Sequence, residues 1–305
     1  MAEEKVKIES TGIEIVFERV GDPASIPVFL IMGGGAQLIN WPDGFCAELV
    51  KHNLYLIRFD NRDVGRSTHF SNAPVPDFAA VMKGDYSTVS YTLSDMALDT
   101  IGLMDELGFE SVHIVGASMG GMIAQTIAIE YPSRVRSLIS IMSTTGASDV
   151  GQTDYAVLSS LGPAPYHNKE GFIHWWVRSM KTLGSAAYPS DDSAMAKLAA
   201  LCWERDHDPL GMIRQAVAVI KSGDRTERLK ILRVPSLVIH GDSDKMIDVS
   251  GGRATADAIP DAELYVFEGM GHSFPEALWN KIAALMANHI LRAEASRIHA
   301  KQSFS

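Results

Sequence analysis

The sequence predicts an α/β protein built on an open, mostly parallel central sheet with helices on both faces. Three observations predict it. Short apolar segments alternate along the chain with segments of helical period, the pattern of strand-helix-strand units. Those apolar segments are almost continuous, so both faces of the sheet are buried, as parallel sheets are. A chain of 305 residues buries roughly 75% of its unfolded surface, enough for a large core without disulfides or metals.

The elements follow in order. Lys5 to Val20 has the alternation of an antiparallel hairpin, with Val6, Ile8, Ile13, Ile15 and Phe17 on one pattern and Thr11-Gly12 at the turn. Ile26–Met32 is the next strand and ends in Gly33-Gly34-Gly35. Leu54–Asp60, Val112–Gly116, Arg134–Met142, Pro235–His240 and Ala262–Phe267 complete the set. Leu93, Met96, Ala97, Thr100, Ile101, Met104 and Leu107 follow the helical period, with Gly108 just past the end. A helix from Met119 stops near Tyr131, because Pro132 disfavours the α conformation before it. Pro275 to Arg292 reads as a terminal amphipathic helix, and the tail from about Ala295 is expected to fray.

The alternation breaks between Ser148 and Arg228. This stretch is helix-like, has four prolines (Pro163, Pro165, Pro189, Pro209) and holds three of the five tryptophans. It reads as a helical cap (148–228) inserted into a core domain made of residues 1–147 and 229–305. Phe172, Trp175, Trp176, Met180, Trp203 and Met212 could line an apolar pocket there or form the cap's own core.

Composition removes several classes. Acidic residues number 37 against 27 basic ones, for a net charge of −10. Such a field repels nucleic-acid phosphates and anionic lipid, so neither is an expected partner. No apolar run reaches the roughly 18 residues of a membrane span. The start of the chain has neither the basic nor the apolar stretch of a secretory signal. With only Cys46 and Cys202, and no CxxC spacing, no disulfide framework or zinc site is expected. The expectation is a cytoplasmic protein with two buried thiols. Oligomeric state is not legible.

Gly116-Ala117-Ser118-Met119-Gly120 carries the chemistry. This G-x-S-x-G follows an apolar strand and precedes a helix, the context in which it forms a strained turn that exposes the serine at the sheet's carboxyl edge. A serine hydroxyl needs a base. Among ten histidines, His272 lies in a glycine-rich loop between the last strand and the last helix. His240 ends a strand and is a second candidate, whereas His113 sits inside a strand and reads as a core residue. The base needs a carboxylate to fix its tautomer. Asp244, in Gly241-Asp-Ser-Asp-Lys245, is far enough past its strand to turn inward, with Asp242 as the fallback. The order Ser118, Asp244, His272 is that of the α/β-hydrolases. The oxyanion of a tetrahedral intermediate needs two backbone N–H donors. Met119 and Gly34 are the expected pair, with Gly33 beside them against the substrate.

These residues resemble the α/β-hydrolase superfamily along nearly the whole chain. Arg58-Phe-Asp-Asn-Arg-Asp-Val-Gly-Arg-Ser67 is similar to the superfamily's R-x-D-x-R-G-x-G-x-S segment, with Asp63 where glycine is commoner. In the superfamily this segment lies beneath the active site, which implies structural charges. Leu30-Ile-Met-Gly-Gly34, Asn40-Trp-Pro-Asp43 and Asp60 to Thr68 resemble the group of aclacinomycin methylesterase and its relatives. That group cleaves a methyl ester of a bulky polyketide without a cofactor. The resemblance implies an α/β-hydrolase fold and a cofactor-free, metal-free serine esterase acting on a small-molecule ester, from small to bulky and hydrophobic. The triad would be Ser118, Asp244 and His272, and the oxyanion donors Gly34 and Met119. The resemblance has no specific motif in the insertion; from the residues alone, Gly33, Trp175, Trp176 and Met180 are the expected substrate contacts. A carbon–carbon bond hydrolase, a perhydrolase or a slow-turnover receptor-like protein would keep the same triad.

Overall fold

A computed structural model describes residues 2–302. Its centre is a sheet of eight strands among the described residues: β1 (Glu4–Lys7), β2 (Glu14–Val20), β3 (Ile26–Ile31), β4 (Leu54–Phe59), β5 (Val112–Ala117), β6 (Val135–Ile141), β7 (Ser236–Gly241) and β8 (Glu263–Phe267). The order across the sheet is β1-β2-β4-β3-β5-β6-β7-β8. β1 and β2 form the expected hairpin, and β2 also runs antiparallel to β4. Every other neighbouring pair is parallel. This is the α/β-hydrolase fold.

The helices are α1 (Asp43–Val50), α2 (Phe78–Val81), α3 (Leu93–Glu106), α4 (Met119–Glu130), α5 (Tyr155–Leu161), α6 (Lys169–Leu183), α7 (Asp192–Arg205), α8 (Pro209–Ser222), α9 (Thr226–Leu229), α10 (Val249–Ala258) and α11 (Trp279–Gln302). Alternate side chains of each strand enter opposite layers. Phe29 and Ile31 join Met96, Ile101 and Ile123 of α3 and α4 on one face. Val28 and Leu30 join Phe45, Leu49, Ile282 and Met286 of α1 and α11 on the other. Two-sided burial accounts for the continuous apolar strands. The terminal element differs from the expectation of a frayed tail. α11 runs to Gln302, and within it Glu294 is tied to the sheet, its carboxylate accepting from His113 Nε2 and Arg136. Residues 303–305 of that tail lie outside the described residues.

The sheet order creates the site. From β3 the chain steps outward to β4, then returns to the other side of β3 for β5, leaving a crevice beyond the carboxyl ends of β3 and β5. Ile31 pairs with Gly116. Two residues further along each strand are Gly33 and Ser118, so the register sets the glycine loop beside the serine.

The five helices from α5 to α9 lie between β6 and β7, in the segment expected as an insertion. Buried charges join this segment to the core. Arg214 of α8 donates twice to Asp63, at 2.8 and 2.7 Å, and Tyr91 Oη donates to the same carboxylate at 2.7 Å. Asp63 has φ 66°, a conformation Asp tolerates better than most residues. That explains how it stands where glycine is commoner. The rest of its segment is also paired internally. Arg58 donates to Glu18 and Asp43, and Arg62 donates to Asp99. Asp60 accepts from Leu38 N–H, Arg66 N–H and Arg205. Cys46 and Cys202 are free and buried, and burial pushes their thiols up to about 11 and about 12.

Removing Asp63 leaves the buried Arg214 charge with only the partly exposed Asp208 and takes the acceptor from Tyr91 Oη. Asp63→Ala is therefore expected to lower unfolding free energy by about 3–5 kcal/mol, read by denaturant unfolding. A loss below about 1 kcal/mol, the scale of an exposed pair, would contradict this account of the junction.

Candidate active site

Ser118 joins β5 to α4 with φ 56° and ψ −125°. Few non-glycine residues adopt this conformation, which costs on the order of 1–3 kcal/mol. The neighbouring glycines make the turn sterically feasible. A Cβ on Gly116 would overlap the Gly120 carbonyl, and one on Gly120 would overlap the Ile31 carbonyl. The strand before, the helix after and the adjacent strand β3 are therefore in backbone contact, and the serine side chain is turned out of the sheet.

Asp244 lies in the loop after β7 and His272 in the loop after β8. Asp244 Oδ1 accepts from the N–H groups of Met246 and Ile247, at 2.8 and 2.9 Å. Its Oδ2 is 2.7 Å from His272 Nδ1, and His272 Nε2 is 3.0 Å from Ser118 Oγ. Burial pushes the Asp244 carboxyl up. The neighbouring His272 imidazole, side-chain hydrogen bonds from His240 and His272, and the Ile247 N–H outweigh burial and hold it well below the usual carboxylate range. An ionised carboxylate can only accept. Nδ1 of His272 then carries the proton, and Nε2 is free to accept from the Ser118 hydroxyl.

Gly34 and Met119 also come together: a Cβ on Gly34 would lie 3.7 Å from Met119 Sδ. The first N–H groups of a helix have no intrahelical acceptor, and Met119 is the first residue of α4. Among the described residues, neither the Met119 N–H nor the Gly34 N–H has a hydrogen-bond partner. A Cβ on Gly33 would lie 3.0 Å from Ser118 Cβ, so any side chain there would crowd the serine.

The remaining sequence candidates fall elsewhere. His240 is buried behind Asp244, with Nε2 2.8 Å from Ile247 O and 3.5 Å from Asp244 Oδ2; it does not reach Ser118. Asp242 accepts from Gly269 N–H instead of turning inward. His113 bonds Ser137 and Glu294 inside the sheet, and burial pushes its imidazole down to about 4. Trp175, expected in the substrate pocket, lies on α6, and its bonded contacts are away from Ser118 and His272. Its indole N–H donates to Gly162 O at 3.0 Å and its ring lies against Phe172. Phe172 in turn meets Trp203 of α7. Trp176 and Met180 are half-buried further along α6.

The end of α6 supports the His272 loop, which motif reading does not find. His272 N–H donates to Leu183 O at 2.8 Å, and Gly271 N–H donates to Ser185 Oγ at 2.9 Å. Only Gly271, as a glycine at a close approach, hinted at it. Asp63, His69 and Asp208 could in principle hold a metal ion, but Arg214 already donates to both carboxylates. Among the described residues no helix is long and apolar enough to cross a membrane.

Fold and site together define the class: the chain is an α/β-hydrolase. It belongs to the Hydrolase_4 family, described as serine aminopeptidase, S33, whose profile matches residues 24–276. It is similar to rhodomycin D methylesterase DauP of Streptomyces sp. (strain C5), 27% identical over 89% of this chain and 93% of that one. It is also similar to rhodomycin D methylesterase DnrP of Streptomyces peucetius, 25% identical over 92% of this chain and 96% of that one. Among solved structures, 2-hydroxy-6-oxo-6-phenylhexa-2,4-dienoate hydrolase from Rhodococcus sp. strain RHA1 superimposes with a TM-score of 0.73 at 21% identity, covering 94% of this chain and 98% of that one. The chain is thus an enzyme of a hydrolase family.

The depressed Asp244 carboxyl gives a pH test. Its folded value lies below the ordinary 3.8. The stability it contributes is therefore complete above that value and is lost as pH falls towards the folded one. Asp244→Asn is expected to melt below wild type at neutral pH, with the gap closing below about pH 4. A pH-independent gap in thermal unfolding would contradict the assigned ionisation.

Proposed function

We propose that the chain is a carboxylic-ester hydrolase that forms an acyl-enzyme on Ser118. The observation that carries the proposal is the hydrogen-bonded line from Asp244 through His272 to Ser118 Oγ, beside two backbone N–H groups without protein acceptors.

The mechanism follows from that arrangement. Ser118 Oγ attacks the ester carbonyl while its proton passes to His272 Nε2. The carbonyl electron pair moves onto oxygen, where the N–H groups of Gly34 and Met119 receive it. Losing one such donor typically costs about 10²–10³ in rate. The intermediate collapses, and the alcohol leaves with the proton from Nε2. Water then gives a proton to the same nitrogen as it attacks the acyl carbonyl; the intermediate collapses, Ser118 Oγ leaves with that proton from Nε2, and the acid is released. Asp244 stays ionised throughout and stabilises the imidazolium.

The substrate is read as a hydrophobic carboxylic ester, a methyl ester of a bulky acid being the leading form. The two rhodomycin D methylesterases, alike over most of both chains, support this reading. Residues 148–228 act as a cap over a core formed by 1–147 and 229–305. The bonds from Leu183 and Ser185 to the His272 loop support that role. Trp176 and Met180 of α6 are the cap's contribution to the pocket wall, next to Gly33 at its floor.

Steady-state hydrolysis of p-nitrophenyl acetate, butyrate and octanoate tests the proposal. Wild type is expected to turn over, and Ser118→Ala to lose about 10⁶ in kcat. Ester cleavage retained by that mutant would overturn it. A folded wild type inert to these probes and to methyl esters of polycyclic aromatic acids would do so too, and would favour carbon–carbon bond hydrolysis.

A further inference from the structure

Helix α8 buries Gly211, Arg214, Gln215, Val217 and Ala218 on one stripe. Gln215 is fully buried there, a costly position for a primary amide without partners. Both ends of the amide are satisfied. Oε1 accepts from Gly35 N–H at 2.8 Å, and Nε2 donates to Arg62 O at 2.7 Å.

The partner of Oε1 is significant. Gly33 to Ala36 form a four-residue turn, closed by Ala36 N–H donating to Gly33 O at 3.2 Å. Gly35 has φ +66°, whereas Gly34 is not among the positive-φ glycines. Positive φ at the third position alone makes this a type II turn. The peptide joining Gly34 to Gly35 is free to flip in such a turn, because no Cβ resists either form. A flip would turn the Gly34 carbonyl towards Gln215 Oε1 and set acceptor against acceptor. The carboxamide therefore selects one of the two forms. On the other side of Gly34, Asn61 Nδ2 donates to Met32 O at 3.0 Å. The Gly34 N–H lies between two buried amide contacts, one from the β4 loop and one from α8. Met212, one turn earlier on α8, also lies against Gly35.

We infer that Gln215 is a positioning residue: by holding the Gly35 N–H it anchors the turn immediately after Gly34, so that the Gly34 N–H, carried by the preceding peptide, keeps its place against the substrate oxyanion. This rests on the reading of Gly34 as an oxyanion donor. Gln215 touches no reacting atom. Its effect should fall on the transition state, leaving ground-state binding unchanged.

Gln215→Met removes both hydrogen bonds at nearly constant volume, and Gln215→Glu keeps the acceptor. With p-nitrophenyl butyrate, the Met variant should lose about 10²-fold in kcat, with KM within about twofold of wild type. The Glu variant should retain more activity than Met. A trifluoromethyl ketone with the same acyl chain adds to Ser118 Oγ, passing the hydroxyl proton to His272 and leaving an oxyanion on the former carbonyl. Its inhibition constant should rise in step with the loss of kcat. Met-variant kcat and ketone affinity both within about twofold of wild type would overturn the inference. If the Met variant does not fold, the Glu variant decides: a fall in kcat without a matching fall in ketone affinity would overturn it. A wild type inert to both probes would instead overturn the esterase reading, and this inference with it.

Discussion

The backbone contact at the end of β5 is the constraint on which the site depends. β3, β5 and the first turn of α4 meet so closely that Gly116 and Gly120 leave no room for a Cβ. The turn between them forces Ser118 to φ 56°. A conformation of that cost persists only where its surroundings over-determine it, and here the surroundings are a sheet buried on both faces. The same contact fixes the register of Gly33 against Ser118. Loosening the packing of β3 on β5 would shift Ser118 and the Gly33–Gly35 turn together.

Electrostatics completes what the backbone begins. Asp244 remains charged while buried because two backbone N–H groups and two imidazoles face it. That charge sets the tautomer of His272, which sets the direction of the Ser118 proton. The segment from 148 to 228 contributes at both ends of this line. The end of α6 carries the His272 loop through Leu183 and Ser185, and α8 carries the glycine turn through Gln215. A segment that reads as a separate insertion is thus wired into the geometry of the site. The buried Asp63–Arg214 pair holds α8 in place for that role.

The strands were legible because two-sided burial leaves a continuous apolar signature, and the G-x-S-x-G turn because its glycines answer a steric demand that few other sequences meet. Asp244 and His272 could be located from loops at the sheet's carboxyl edge, since a parallel sheet delivers those loops to one place. Long-range polar contacts were not legible in the same way. Arg214 and Gln215 occupy the apolar stripe of α8, and that misplacement was the available sign that they meet buried partners. An aromatic on an insertion helix serves that helix's own packing as readily as a pocket, so the role of Trp175, whose ring meets Phe172, was not legible from its position alone. The tie of α11 to the sheet was not legible, because Glu294, which bonds His113 and Arg136, looks like any surface acid in a linear reading.

The central claim is that Ser118 is the activated nucleophile. Mass spectrometry after treatment with a fluorophosphonate, followed by peptide mapping, tests it most directly. The account predicts one phosphonyl group per chain, attached at Ser118 with loss of fluoride, and its absence in Ser118→Ala. An unmodified wild type, or an adduct on another residue that persists in the Ser118→Ala variant, would contradict it.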